Sequence, residues 1–119
     1  MCFSNLLTEP NELEEVYYFS ASGVTQRYSN KKVGSVTLWK NLKLVYNKVL
    51  GTIDGYGESV VYKKRYRFLL FGTIERNNAI SFVKVHPEIE TMIEYKGTLE
   101  NNKIFLTGQN SSGMIMLDI

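Results

Sequence analysis

With 119 residues the chain has room for one domain spanning 1–119 and not for two. Its hydrophobic share of 44% and charged share of 22% are those of a globular protein and exclude a disordered chain. The formal net charge of +2 is unevenly spread: residues 1–26 hold four Glu and no base, residues 27–67 hold ten Lys or Arg against Asp54 and Glu58, and residues 68–119 hold four bases against six acids.

Val, Ile, Thr and the aromatic residues, which suit a pleated sheet, make up 41 positions, whereas Ala occurs only twice, so an all-helical fold is excluded. The single cysteine, Cys2, with only His86 to accompany it, rules out a disulfide scaffold or a four-ligand zinc site. The amino terminus has neither a basic region nor an apolar run suited to a secretion signal, and no 18-residue apolar stretch occurs. These features lead us to expect a cytoplasmic protein that does not insert into membranes, in which Asn110-Ser111-Ser112 is an unused sequon.

In chain order, Thr8-Glu9-Pro10-Asn11-Glu12 offers a capping hydroxyl, an early proline and acids, which suits a short helix or a loop. Strands are expected over 16–20, 24–28, 35–39 and 42–53. Next comes a motif of glycine, threonine, branched apolar residue and acid, present as Gly51-Thr52-Ile53-Asp54, Gly72-Thr73-Ile74-Glu75 and Gly97-Thr98-Leu99-Glu100. The copies run into Gly55-Tyr56-Gly57, Arg76-Asn77-Asn78 and Asn101-Asn102, which read as hairpin turns. The glycine at the head of each copy suits a strand that coils as a sheet closes.

Between Glu58 and Ile74 one long, bent strand is expected, with Val60, Tyr62, Tyr66, Phe68, Leu70 and Ile74 on one face and Lys63, Arg65 and Arg67 on the other. A strand over 79–85 follows. From Glu90 to Glu100 the alternation puts Ile93, Tyr95 and Leu99 inside and Glu94 and Lys96 outside. Strands over 103–108 and 114–119 complete an all-β, antiparallel meander of about eight strands closing into a small barrel.

The segment from Gly51 to Gln109 resembles the carboxy-terminal part of calycin-like proteins, the lipocalin, fatty-acid-binding and avidin group of antiparallel barrels. The matching residues are Gly55 and Gly57, Phe68-Leu69-Leu70-Phe71-Gly72, Ile80-Ser81-Phe82-Val83-Lys84, Tyr95-Lys96-Gly97-Thr98-Leu99 and Ile104. The glycine-x-tryptophan signature of lipocalins is missing, since Trp39 stands in Leu38-Trp39-Lys40. The resemblance implies an architecture rather than an activity.

Candidate chemistry is sparse. His86, in Val85-His86-Pro87 at a strand end, reads as a surface turn histidine without a nucleophile signature, and no phosphate-binding loop is present. No catalytic set, metal site or cofactor is expected. The leading expectation is a non-catalytic accessory or inhibitor-type barrel that docks on another protein. Lys63, Arg65, Arg67, Lys31, Lys32, Lys40 and Lys43 form the basic face expected to meet such a partner or, in one alternative, an anion, nucleotide or nucleic acid. Another is a carrier of an apolar ligand, with Tyr46, Tyr62, Tyr66, Phe68, Phe82 and Tyr95 lining the barrel.

Overall fold

A computed structural model describes residues 15–29 and 32–118, with the side chains of 29, 32 and 33 excepted. The segment considered for a helix at Thr8–Glu12, the thiol of Cys2, Lys31, the side chain of Lys32 and the final residue Ile119 lie outside the described residues.

Antiparallel strands β1 (Val16–Ser29), β2 (Lys32–Asn47), β3 (Thr52–Val61), β4 (Lys64–Ile74), β5 (Ala79–His86), β6 (Thr91–Glu100), β7 (Lys103–Gly108) and β8 (Ser111–Asp118) pair in sequence order. β8 also pairs with β1, from Ser20↔Asp118 to Arg27↔Ser111, and so closes the barrel. Closure gives every strand a partner on both sides, so no strand is an edge strand along its whole length. A 3₁₀ turn, Pro87–Ile89, links β5 to β6. No helix among the described residues is long and apolar enough to cross a membrane.

Several expected boundaries move, each for a local reason. The segments 16–20 and 24–28 form one strand, β1. The expected gap after Trp39 is a bulge within β2: Asn41 takes a left-handed conformation at φ 52°, and the pairing shifts by one residue between Lys40 and Lys43. The extra residue lets Trp39 and Leu42, three apart, both point inward. β2 stops at Asn47, whose side-chain Oδ1 accepts from the Leu50 amide and whose carbonyl accepts from the Gly51 amide, so 42–53 is not one strand. Gly51 therefore sits in the turn (φ 69°), and Gly55-Tyr56-Gly57 is not a turn but the middle of β3.

The long strand expected from Glu58 to Ile74 is in fact a hairpin. Tyr62 and Lys63 form its two-residue turn with φ of 49° and 64°, the double left-handed geometry of a type I′ turn, usually taken by Asn or Gly. The continuous β3–β4 ladder, from Val61↔Lys64 to Thr52↔Thr73, outweighs the strain of two non-glycine residues there. The turn reverses the facing of the chain, so Val61 rather than Val60 lines the interior and Tyr62 projects outward at 79% exposure. Asn101 and Asn102 do form the expected double left-handed turn, with φ of 48° and 66°. Asn77-Asn78 also lies in a hairpin connection, but only Asn78 is left-handed (φ 67°), and the turn bonds run from Asn78 N to Glu75 O and from Glu75 N to Ala79 O.

The strand glycines of the repeated motif are explained by close approach. A Cβ on Gly97 would collide with the carbonyl oxygen of Phe105, and one on Gly72 would collide with Phe82 and the Ser81 carbonyl. The interior is filled from all eight strands around Trp39, which is 1% exposed and meets Phe68, Tyr95 and Phe82 edge-on at centroid distances of 5.3, 5.6 and 6.3 Å. Tyr95 is buried and Ile93 and Leu99 are half-buried, while Glu94 and Lys96 face outward, as the alternation predicts.

Candidate binding cavity

The aromatic cluster forms a waist with a cavity on either side. The smaller cavity, about 350 Å³, lies at the end carrying the β2–β3, β4–β5 and β6–β7 turns and is lined mainly by apolar groups such as Phe19, Leu44, Ile53 and Ile80. The larger, about 1040 Å³, opens at the other end, between the β3–β4, β5–β6 and β7–β8 turns. β7 is only six residues long and its last pair with β6 is Tyr95↔Gly108, so Thr91–Glu94 of β6 has no β7 neighbour and the mouth extends sideways there.

The buried polar or charged side chains among the described residues are Thr25, Ser59, Lys84 and His86, and all four line the larger cavity. Burial of polar groups is costly unless they are satisfied. Thr25 is satisfied, since its hydroxyl oxygen accepts from the Trp39 indole N–H at 3.1 Å. His86 is held on both sides, with Nε2 at 2.9 Å from the Ser59 hydroxyl and Nδ1 at 3.2 Å from the Thr91 hydroxyl. Burial, and then the nearby Lys84 charge, depress its pKa to about 4 against an opposing pull from Glu88, so the ring is neutral at pH 7.

Lys84 is different. It is 2% exposed and extends from β5 across the interior, placing Nζ 3.8 Å from the ring centroid of Trp39 on β2 and 4.5 Å from that of Phe68 on β4. Among the described residues it has no side-chain hydrogen bond and no carboxylate partner. The aromatic faces partly stabilise the ammonium, but burial dominates and lowers its pKa to about 7. At neutral pH the site therefore holds both charged and free amine.

Of the aromatics expected to line the barrel, Phe68, Phe82 and Tyr95 form the waist and Tyr66 stands half-buried on the wall of the larger cavity. Tyr46 lines the smaller cavity and stacks on Tyr17 at 6.0 Å, whereas Tyr62 is outside the barrel in its turn. The expected basic row is broken up: Lys63 is in the same turn, and Arg65 and Arg67 point outward from β4. Arg65 pairs with Glu58 at 3.1 Å and Arg67 with Glu88 at 3.6 Å. Lys40 is exposed beside the bulge, and Lys43 donates to the Ser20 hydroxyl at 2.7 Å.

The expectation of a surface His86 is overturned, because the residue ends the inward face of β5 and the turn begins one residue later. Lys84, Ser59, Thr25 and the rim residue Arg27 were not among the sequence candidates. The period-two set Ile80, Phe82, Lys84, His86 carries the signal for the first and for His86, since the two apolar members mark the inner face. No cluster of three His, Cys, Asp or Glu arranged to hold a metal occurs among the described residues. In comparisons with protein families, curated proteins and solved structures, nothing matches this chain.

Proposed function

We propose that this protein is a non-catalytic binding barrel that takes a small organic anion through its open end and seats the acidic group at Lys84. The observation that carries this reading is the placement of Lys84: a buried amine without an acidic partner among the described residues, at the base of an open cavity in which Ser59 and His86 supply further polar atoms. A bound carboxylate would provide the counter-charge that the described residues do not supply, and the mixed wall, with Val61, Tyr66, Ile93 and Tyr95 among hydroxyl and amide side chains, would take the rest of the molecule. Arg27 at the mouth adds positive charge along the entry route. The meander closed around a ligand space supports the calycin-like reading of residues 51–109 and, with it, the carrier function in a more polar form.

Trp39, the only tryptophan, lies against the Lys84 amine and so reports on occupancy. Titration with aliphatic and aromatic carboxylates should give a saturable change in its emission. Lys84→Met should weaken the binding about tenfold or more, since a charge-assisted hydrogen bond contributes roughly 1.5–3 kcal/mol. No emission change across the panel, or unchanged affinity in a folded Lys84→Met protein, would refute the reading.

Docking on another protein is the second reading, and one feature of the outer wall favours it. Leu38, Val24, Met114 and Phe105 are cross-strand neighbours on β2, β1, β8 and β7 and form an apolar row on the outside of the barrel. An inhibitor-type role in the cytoplasm would use this row rather than the ion-paired arginines.

A further inference from the structure

The same amine permits a second chemistry. A lysine that is buried, lacks an acidic partner among the described residues and borders an open cavity is suited to attack a carbonyl carbon as well as to hold an anion. We propose that Lys84 captures small conjugated aldehydes entering the larger cavity as a reversible imine. The inference rests on the preceding reading in one respect, that the cavity admits organic ligands as far as Lys84.

The geometry supports each part. Nζ lies 3.8 Å from the Trp39 ring centroid and 4.5 Å from that of Phe68, so a flat, conjugated aldehyde bonded there would lie among aromatic rings. In the reaction the Nζ lone pair forms a bond to the carbonyl carbon while the carbonyl π pair moves to oxygen. A proton passes from nitrogen to oxygen to give the carbinolamine. The nitrogen lone pair then forms the C=N bond as the C–O bond breaks, the hydroxyl takes up a second proton and leaves as water, and the remaining N–H proton is released, so that amine and aldehyde yield imine and water with no oxidant or reductant. The neutral His86 ring and the Ser59 hydroxyl, joined at 2.9 Å on the wall of this cavity, can accept and return that proton. Burial also makes the nucleophile available, because the amine's pKa of about 7 leaves a large free-base fraction at neutral pH.

The test is a short exposure of the folded protein to cinnamaldehyde with cyanoborohydride at neutral pH, followed by intact mass measurement and peptide mapping. The expected result is one reduced adduct on Lys84, formed at least tenfold faster than on any of the other nine lysines and absent from Lys84→Met. Without reductant, an imine absorption band should appear and disappear on dilution. Labelling spread over exposed lysines with Lys84 unmodified, while the unfolded chain labels at Lys84, would overturn the proposal. A carboxylate titration on the same preparation separates the two ideas. Saturable binding without an adduct on Lys84 removes the imine alone, whereas no binding and no adduct removes both.

Discussion

Replacing Lys84 with Met keeps an unbranched chain of similar length and deletes the buried charge, so the comparison isolates what that charge does to stability. In the native protein the amine's pKa is about 7, against 10.5 for a lysine in the unfolded chain. Between these values the unfolded state carries a proton that the folded state lacks, so stability rises with pH across this window and is lost as pH falls toward 7. Each unit contributes a little over 1 kcal/mol, which gives roughly 4 kcal/mol over the window as an order of magnitude. Lys84→Met should lack this contribution. At pH 6 the variant should be the more stable by several kcal/mol, and the gap should close by about 4 kcal/mol as pH approaches 10. Urea unfolding followed by Trp39 emission measures it directly. With a slope near 2 kcal/mol per molar, the difference between the two proteins' midpoints should change by about 2 M between the pH extremes. The other ionisable groups in this cavity and on its rim, including Arg27, His86, Glu94 and Lys96, are common to both proteins and cancel. Parallel pH profiles for the two proteins would refute the reasoning, because they would mean that Lys84 is hydrated or paired.

On the acid side, His86 should make its own contribution: with its pKa lowered from 6.5 to about 4, stability should fall as pH drops through that interval, and His86→Gln should flatten the loss in acid unfolding curves. Gly97→Ala should cost several kcal/mol or prevent folding, since its Cβ has no room beside the Phe105 carbonyl; a thermal midpoint within 2 °C of the parent protein would contradict the packing. Leu99→Ala should cost about 1–2 kcal/mol in denaturant unfolding, below the range for a fully buried leucine, because Leu99 is half-buried beside the smaller cavity. The triple substitution Lys63→Glu, Arg65→Glu, Arg67→Glu should lower stability by no more than about 1–2 kcal/mol, measured in the same way, since the pairs it breaks are exposed.

The barrel was legible in the sequence because its evidence is distributed: alternation in β6, asparagine turns and the frequency of branched and aromatic residues all point one way. What was not legible was local. Tyr62-Lys63 carries no turn signal, and only the ladder on either side makes that reversal favourable. Reading through it placed Lys63, Arg65 and Arg67 in one row, where the fold puts a turn residue and two ion-paired arginines. The site was missed for a related reason. Pattern reading assigns Lys and His to the outside by default, so His86 reads as a turn residue and Lys84 as a solvated one, although they share the period-two face of Ile80 and Phe82, which is the interior side of the strand. Ser59 and Thr25 give no pattern signal at all, because small hydroxyl residues are common on both faces of a strand.

The waist around Trp39 also sets the traffic of any ligand. The two cavities share no lining residue, so a molecule seated against Lys84 meets a wall of rings instead of a passage to the far end. Among the described residues, entry and exit share one doorway. An occupant cannot be pushed out from behind by a newcomer, so departure should be first-order and independent of how much competitor waits outside. The residence time then belongs to the doorway itself, where Arg27, Tyr66 and the start of β6, without a β7 neighbour, stand, rather than to the depth of the barrel.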